Sequence, residues 1–200
     1  MRRFSRKPRP SILDEWREWG QQFKANRERS EGFRFQWPVR DGSRINTRLS
    51  NLLAAQTEDH CSYCDNFPIR NREKSIDHFR PKSVPRFYNL VCNWNNLYFS
   101  CGNCQGYKLE NWTRFLLRPD SPHYKFEDYF VYSFTTHKID PLPNLQGKMW
   151  ERADTTIRYL GLNDPGHIAA RRISLERYQN ALDSGEQVDI SDYAYRFILS

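Results

Sequence analysis

Cys61-Ser62-Tyr63-Cys64 and Cys101-Gly102-Asn103-Cys104 bracket the stretch Ser75-Ile76-Asp77-His78-Phe79-Arg80-Pro81-Lys82, and this arrangement decides how the chain is read. A two-residue spacer lets both sulfurs of a Cys-x-x-Cys pair face one ion at about 2.3 Å, so two such pairs predict a tetrahedral Cys₄ zinc site. The gap between the pairs is longer than that of an ordinary zinc ribbon, so the clasp is expected to close the two ends of an inserted hairpin. A filled Cys₄ site has no open coordination position, which makes this zinc structural and leaves catalysis to a second metal. The plainer alternative is that one or both pairs are buried or redox-active thiols. Cys92 stands in an apolar context and reads as a core thiol rather than a fifth ligand.

Around this centre, 200 residues suit one compact domain better than two. The formal charge of +7 attracts polyanions, of which nucleic acid is the commonest. Four thiolates around one Zn²⁺ would reduce that surplus without reversing it. No run approaches the roughly 18 apolar residues of a membrane span, and no apolar signal region stands at the N-terminus. The expectation is a soluble, cytoplasmic chain whose cysteines are thiols or metal ligands rather than disulfides.

Residues 1–10 carry five basic side chains and two prolines and read as an arm, either gripping phosphates or a partner, or simply solvated. Residues 11–58 read as N-terminal helices. Ser11 is placed to cap the first, Ile12, Trp16, Trp19 and Phe23 recur at helical spacing, and it should run to about Arg29. Residues 31–43 have no regular period, and Leu49, Leu52 and Leu53 mark a second helix leading towards Asp59. Residues 59–118 form the zinc-stapled module, rich in loops and short strands that a metal would help to hold. Residues 119–200 form a C-terminal helical region, with helices expected over Ala153 to Leu162, Asp164 to Leu182 and Ser191 to Leu199. There is no internal repeat.

The order of motifs resembles the HNH nucleases. Asp77-His78 lies inside the clasp, Asn95-Asn96-Leu97 precedes the second cysteine pair, and Lys108 follows it. The resemblance is closer to the HNH proteins associated with retrons and with the Septu anti-phage system, the PtuB-like family. Four segments carry it: Met1-Arg2-Arg3 with Pro10, Cys61 to Cys64 with Ile76 to Lys82, Trp94-Asn95-Asn96-Leu97 leading into Cys101 to Lys108, and Thr155 to Asn163. It implies an α+β, mainly helical fold, in which a small ββα-metal (His-Me finger) HNH module with a Cys₄ zinc knuckle is wrapped by N- and C-terminal helices. It further implies a phosphodiester-cleaving endonuclease, a defence effector working beside an ABC-type ATPase partner.

On that resemblance His78 is the general base that deprotonates water, since a neutral imidazole can take a proton at neutral pH. Asp77 offers a hard oxygen to Mg²⁺ or Mn²⁺. Successive strand residues face opposite ways, so a bulge or a strand end is expected at Asp77-His78. Asn96 would fix the hairpin and orient the histidine loop. Gln105 departs from the family pattern, which has His or Asn there as the other protein ligand. It retains a carbonyl oxygen on a longer side chain, and Asn103 and Asp120 stay open as substitutes. Arg80, Lys82, Arg86 and Lys108 are candidate phosphate contacts, Lys108 foremost, against the alternative of solvated charges. His60, His123, His137 and His167 read as ordinary histidines. Two rivals stand: a non-catalytic zinc module that binds nucleic acid or protein, and a ribonuclease, since nothing in the sequence selects DNA over RNA.

Overall fold

The apolar period of Trp16, Trp19 and Phe23 is realised as α1 (Trp16–Arg29) in a computed structural model that describes residues 1–69 and 74–199. Ser11 does not cap it. Ser11–Leu13 forms a separate 3₁₀ turn, in which the Leu13 N–H donates to the Pro10 carbonyl, and no side chain caps α1. α1 packs along a 3₁₀ turn at Pro85–Leu90. Gly20 permits this approach, because a Cβ there would overlap the backbone carbonyl of Asn89.

A short hairpin follows, β1 (Val39–Arg40) and β2 (Ser43–Arg44), turned by Asp41 and Gly42 at positive φ. α2 (Asn46–Ala54) buries Leu49 and Leu53 and stops short of the expected Asp59. Glu58 and Asp59 adopt the left-handed backbone, which no helix continues through.

The centre is an antiparallel pair, β3 (Lys74–His78) and β4 (Leu97–Cys101), with Asp77 opposite Tyr98 and His78 opposite Leu97. β4 is buried throughout and runs without a spacer into α3 (Gly102–Lys108). The strands β5 (Phe130–Tyr132) and β6 (Ile139–Pro141) pair separately. α4 (Gly147–Tyr159) begins well before the expected Ala153, because its first turn exposes Met149 and Trp150 and so shows no apolar period. α5 (Pro165–Asp183) begins as expected: Asp164 Oδ1 accepts from the Gly166 N–H at 2.7 Å, with Pro165 at the first helical position. The fold is α+β, and among the described residues no helix is long and apolar enough to cross a membrane.

Two expectations are corrected. The first ten residues are not a free arm. Met1 is buried, with its carbonyl accepting from Tyr124 Oη at 2.8 Å. Arg6 donates to Asp120 Oδ2 at 2.7 Å and to the Trp94 and Leu97 carbonyls, with its guanidinium 4.5 Å from the Tyr98 ring centroid. Its charge is thus paired inside the protein through Nε and Nη1, while Nη2 is buried with no hydrogen-bond partner among the described residues. Nor is there a helix over Ser191 to Leu199: two 3₁₀ turns, Ile190–Asp192 and Arg196–Ile198, flank a left-handed Tyr195. Asp65 imposes this. Its carboxylate accepts from the Arg196 N–H and guanidinium at 2.7–3.1 Å, and its carbonyl accepts from the Tyr195 N–H. The last segment is thus latched to the residue after Cys64.

Packing at Gly20 gives a direct test of the scaffold. Gly20→Ala should cost about 1–3 kcal/mol in urea unfolding, since the backbone of Asn89 must shift. Gly32→Ala, whose Cβ would meet only Ser30 Oγ at 4.0 Å, should change stability by less than about 0.5 kcal/mol.

Candidate metal centre and adjoining cleft

Cys61 and Cys64 sit in the turn before β3, Cys101 ends β4, and Cys104 lies in the first turn of α3. All four are buried and unpaired by disulfide, and their sulfurs lie within 4.8 Å of one another. A tetrahedral ion at about 2.3 Å from each sulfur needs separations of about 3.8 Å, so the cluster could hold a metal, and its soft donors suit zinc. Burial pushes the thiols of Cys64 and Cys104 above their ordinary value. Thiolates there would therefore need a bound cation to compensate the lost hydration. Cys92 lies outside the cluster, a core thiol pushed up to about 12 by burial.

Beside the cluster a cleft of about 330 Å³ is lined by Asp77, His78, Lys82, Gln105 and Glu110, with Gly102 and Gly106 leaving open space along α3. β3 and β4 pair in regular register through His78, so there is no bulge. The strand end lets both Asp77 and His78 border the same space. His78 Nε2 lies 2.9 Å from the Val91 carbonyl. A carbonyl only accepts, so Nε2 carries the hydrogen and Nδ1 keeps its lone pair. Trp37 stacks on the imidazole with centroids 5.7 Å apart, and Phe35 meets it edge-on. Burial, reinforced by Lys82 and Lys108, lowers the His78 pKa to about 3, although the Val91 carbonyl opposes the shift. The ring is neutral at neutral pH.

Asp77 is heavily engaged. Its Oδ2 accepts from Tyr63 Oη at 2.6 Å and pairs with Lys108 Nζ at 3.0 Å, and Lys108 also donates to the His78 carbonyl at 2.8 Å. Lys108 is wholly buried, which corrects its reading as the foremost phosphate contact: it is an internal counter-ion. Asn96 does not border the cleft. Its Oδ1 accepts from the Arg80 N–H at 2.8 Å, and its Nδ2 donates to the Arg80 and Leu90 carbonyls, joining both ends of the segment after β3.

Asp120 is removed as a substitute ligand, because Arg6, Arg118 and Tyr98 occupy its carboxylate. Arg80, Lys82 and Arg86 are exposed, with Arg80 and Arg86 both lying over Phe87 and Trp112 at 4.7–5.8 Å. Three features were missed in the sequence. Trp37 and Phe35 lie in the aperiodic stretch and carry no local signal. His167, read as ordinary, is buried with Nε2 3.6 Å from Cys104 Sγ. Glu110 enters the cleft only through the backbone of its neighbour.

No family model matches the chain. A 67-residue stretch is 33% identical to the Septu protein PtuB of Bacillus mycoides (strain KBAB4), covering 28% of this chain and 23% of that protein. The chain thus matches less than a quarter of that relative's length, which shows a Septu-related likeness over this stretch.

Two measurements test the site. Cys104→Ser should lose bound zinc in elemental analysis and lower the Tm, because metal binding supplies folding free energy to this loop-rich region. The second concerns pH. In the unfolded chain His78 binds a proton below about 6.5, which the folded chain refuses until about 3. Stability should therefore fall as pH drops through that window. His78→Gln keeps a donor for the Val91 carbonyl and should flatten this part of the stability curve between about pH 7 and 5. An unchanged slope would show that His78 is not the buried neutral base of the cleft.

Proposed function

We propose that this chain is a metal-dependent HNH-type endonuclease hydrolysing phosphodiester bonds, with DNA the favoured substrate, and that it serves a Septu-like defence system. The observation that carries the reading is His78, a neutral imidazole held by the Val91 carbonyl at Nε2, with no hydrogen bond to Nδ1 among the described residues, in the wall of a cleft beside a Cys₄ cluster. The strand, strand, helix order of β3, β4 and α3 supports it. Nδ1 would take the proton from water as its oxygen bonds to phosphorus. The bond from phosphorus to the leaving oxygen then breaks, and solvent protonates that oxygen. Bound phosphate would offset the Lys82 and Lys108 charges that depress the imidazole and so raise its basicity. Mg²⁺ or Mn²⁺, when bound, would neutralise the phosphate and stabilise the leaving oxygen.

In this reading Asn96 holds the loop that sets His78, while Arg80, Lys82 and Arg86 contact the backbone of the nucleic acid. Gln105 and Asp77 supply oxygen to the cation. Guanidiniums already resting on Phe87 and Trp112 lose less freedom on binding phosphate. An ABC-type ATPase partner belongs to the same proposal, and the exposed Val131, Phe134, Met149 and Trp150 offer it apolar surface. The competing reading is a zinc module that only binds, favoured by one observation: Lys108 already neutralises Asp77.

Plasmid nicking separates the two. Wild type should nick DNA with Mg²⁺ or Mn²⁺ and stop on chelation. His78→Ala should lose about 10²–10⁴-fold in rate while retaining zinc and DNA affinity. A rate within about threefold of wild type would remove His78 as the base.

A further inference from the structure

We infer that Glu110 is the charged ligand that completes the divalent-cation site in the His78 cleft, an inference that rests on the nuclease reading above. Charge balance leads to it. A hard divalent ion is held chiefly by carboxylates, and affinity follows the number of negative ligands. Of the two oxygen donors first expected there, Gln105 is neutral. Asp77 is compensated by the buried ammonium of Lys108 and further bound by Tyr63 Oη. Asp77, Lys108 and Gln105 together present no net negative charge to an ion. Lys82 on the same wall adds a positive one. Among the described residues Glu110 is the other acidic residue lining the cleft, and it is exposed and forms no ion pair.

The backbone brings it there by an unusual route. Leu109 ends α3 at φ 44° and ψ −118°, a conformation that favours glycine, and its N–H closes on the Gln105 carbonyl at 2.8 Å. The Asn111 N–H then donates to the Lys108 carbonyl at 2.8 Å, so the chain folds back over the end of the helix. After the reversal residue 110 lines the same cleft as Gln105, Gly102 and Gly106. A leucine held in that conformation, 65% exposed, gains little from burial, so the strain is better understood through the residue it delivers.

The test is binding of Mn²⁺ to the full-length, zinc-loaded protein by calorimetry, with nicking measured alongside. Wild type should bind Mn²⁺ in the cleft. Glu110→Gln should weaken that binding about tenfold or more and raise the Mn²⁺ needed for nicking in parallel, with zinc content and Tm unchanged. Glu110→Asp should recover part of the affinity. If wild type binds Mn²⁺ and Glu110→Gln binds it equally well, Glu110 is not a ligand although the nuclease reading stands. If zinc-loaded wild type binds no Mn²⁺ and nicks nothing, both fall together.

Discussion

The ammonium of Lys108 has no exposed surface, and the carboxylate it faces on Asp77 has almost none. Taking either ion out of water alone costs several kcal/mol, so each exists inside the protein only because the other does. Tyr63 Oη adds a hydrogen bond to the carboxylate, and the His78 carbonyl accepts one from the ammonium. This one contact ties the turn of the first cysteine pair to the end of β3 and to the last turn of α3. Tyr63 in turn stacks on Tyr98 across the hairpin, with centroids 5.5 Å apart. The imidazole of His78 is thereby held from two directions, its own carbonyl by Lys108 and its Nε2 by Val91. Loss of either partner would leave an uncompensated buried charge, worth about 3–5 kcal/mol.

The sulfur cluster and the cleft share a single rigid run. Leu97 to Lys108 carries two of the four cysteines, the wall residue Gln105 and the buried counter-ion without an intervening loop. The scaffold beyond it serves the same run. Asn163 clamps β6 by accepting from the Ile139 N–H and donating to its carbonyl, and Thr156 Oγ1 accepts from the Leu117 N–H. Gly161, at positive φ, lies so close beneath the ring of Tyr107 on α3 that a side chain there would collide with it. The segment Thr155 to Asn163 thus seats the helix that forms one wall of the cleft.

What could be read from sequence was what depends on spacing. Two Cys-x-x-Cys pairs place four sulfurs together whatever the loops do, and the caps of α5 are local chemistry at Asp164 and Pro165. What could not be read depends on partners far along the chain. A lysine looks alike whether solvated or paired, and Lys108 is buried only because Asp77 stands 31 positions before it. The basic N-terminal residues look like a tail until Asp120 and two carbonyls claim Arg6. The pattern from Ser191 to Leu199 favours a helix, but Asp65 captures Arg196 and overrides it. Glu110 was hidden for a subtler reason: nothing in the identity of Leu109 announces a left-handed backbone.

The latch between Asp65 and Arg196 spans 131 positions, and during synthesis the ribosome delivers residue 65 long before residue 196. At ordinary elongation speeds of about 5–20 residues per second, the first cysteine pair waits on the order of ten seconds for the segment that locks its turn. Until then the turn lacks the restraint that the Arg196 guanidinium and N–H place on the Asp65 carboxylate. The order of translation thus makes the closing of this turn a late event, set by the distance along the chain between the two partners of the latch.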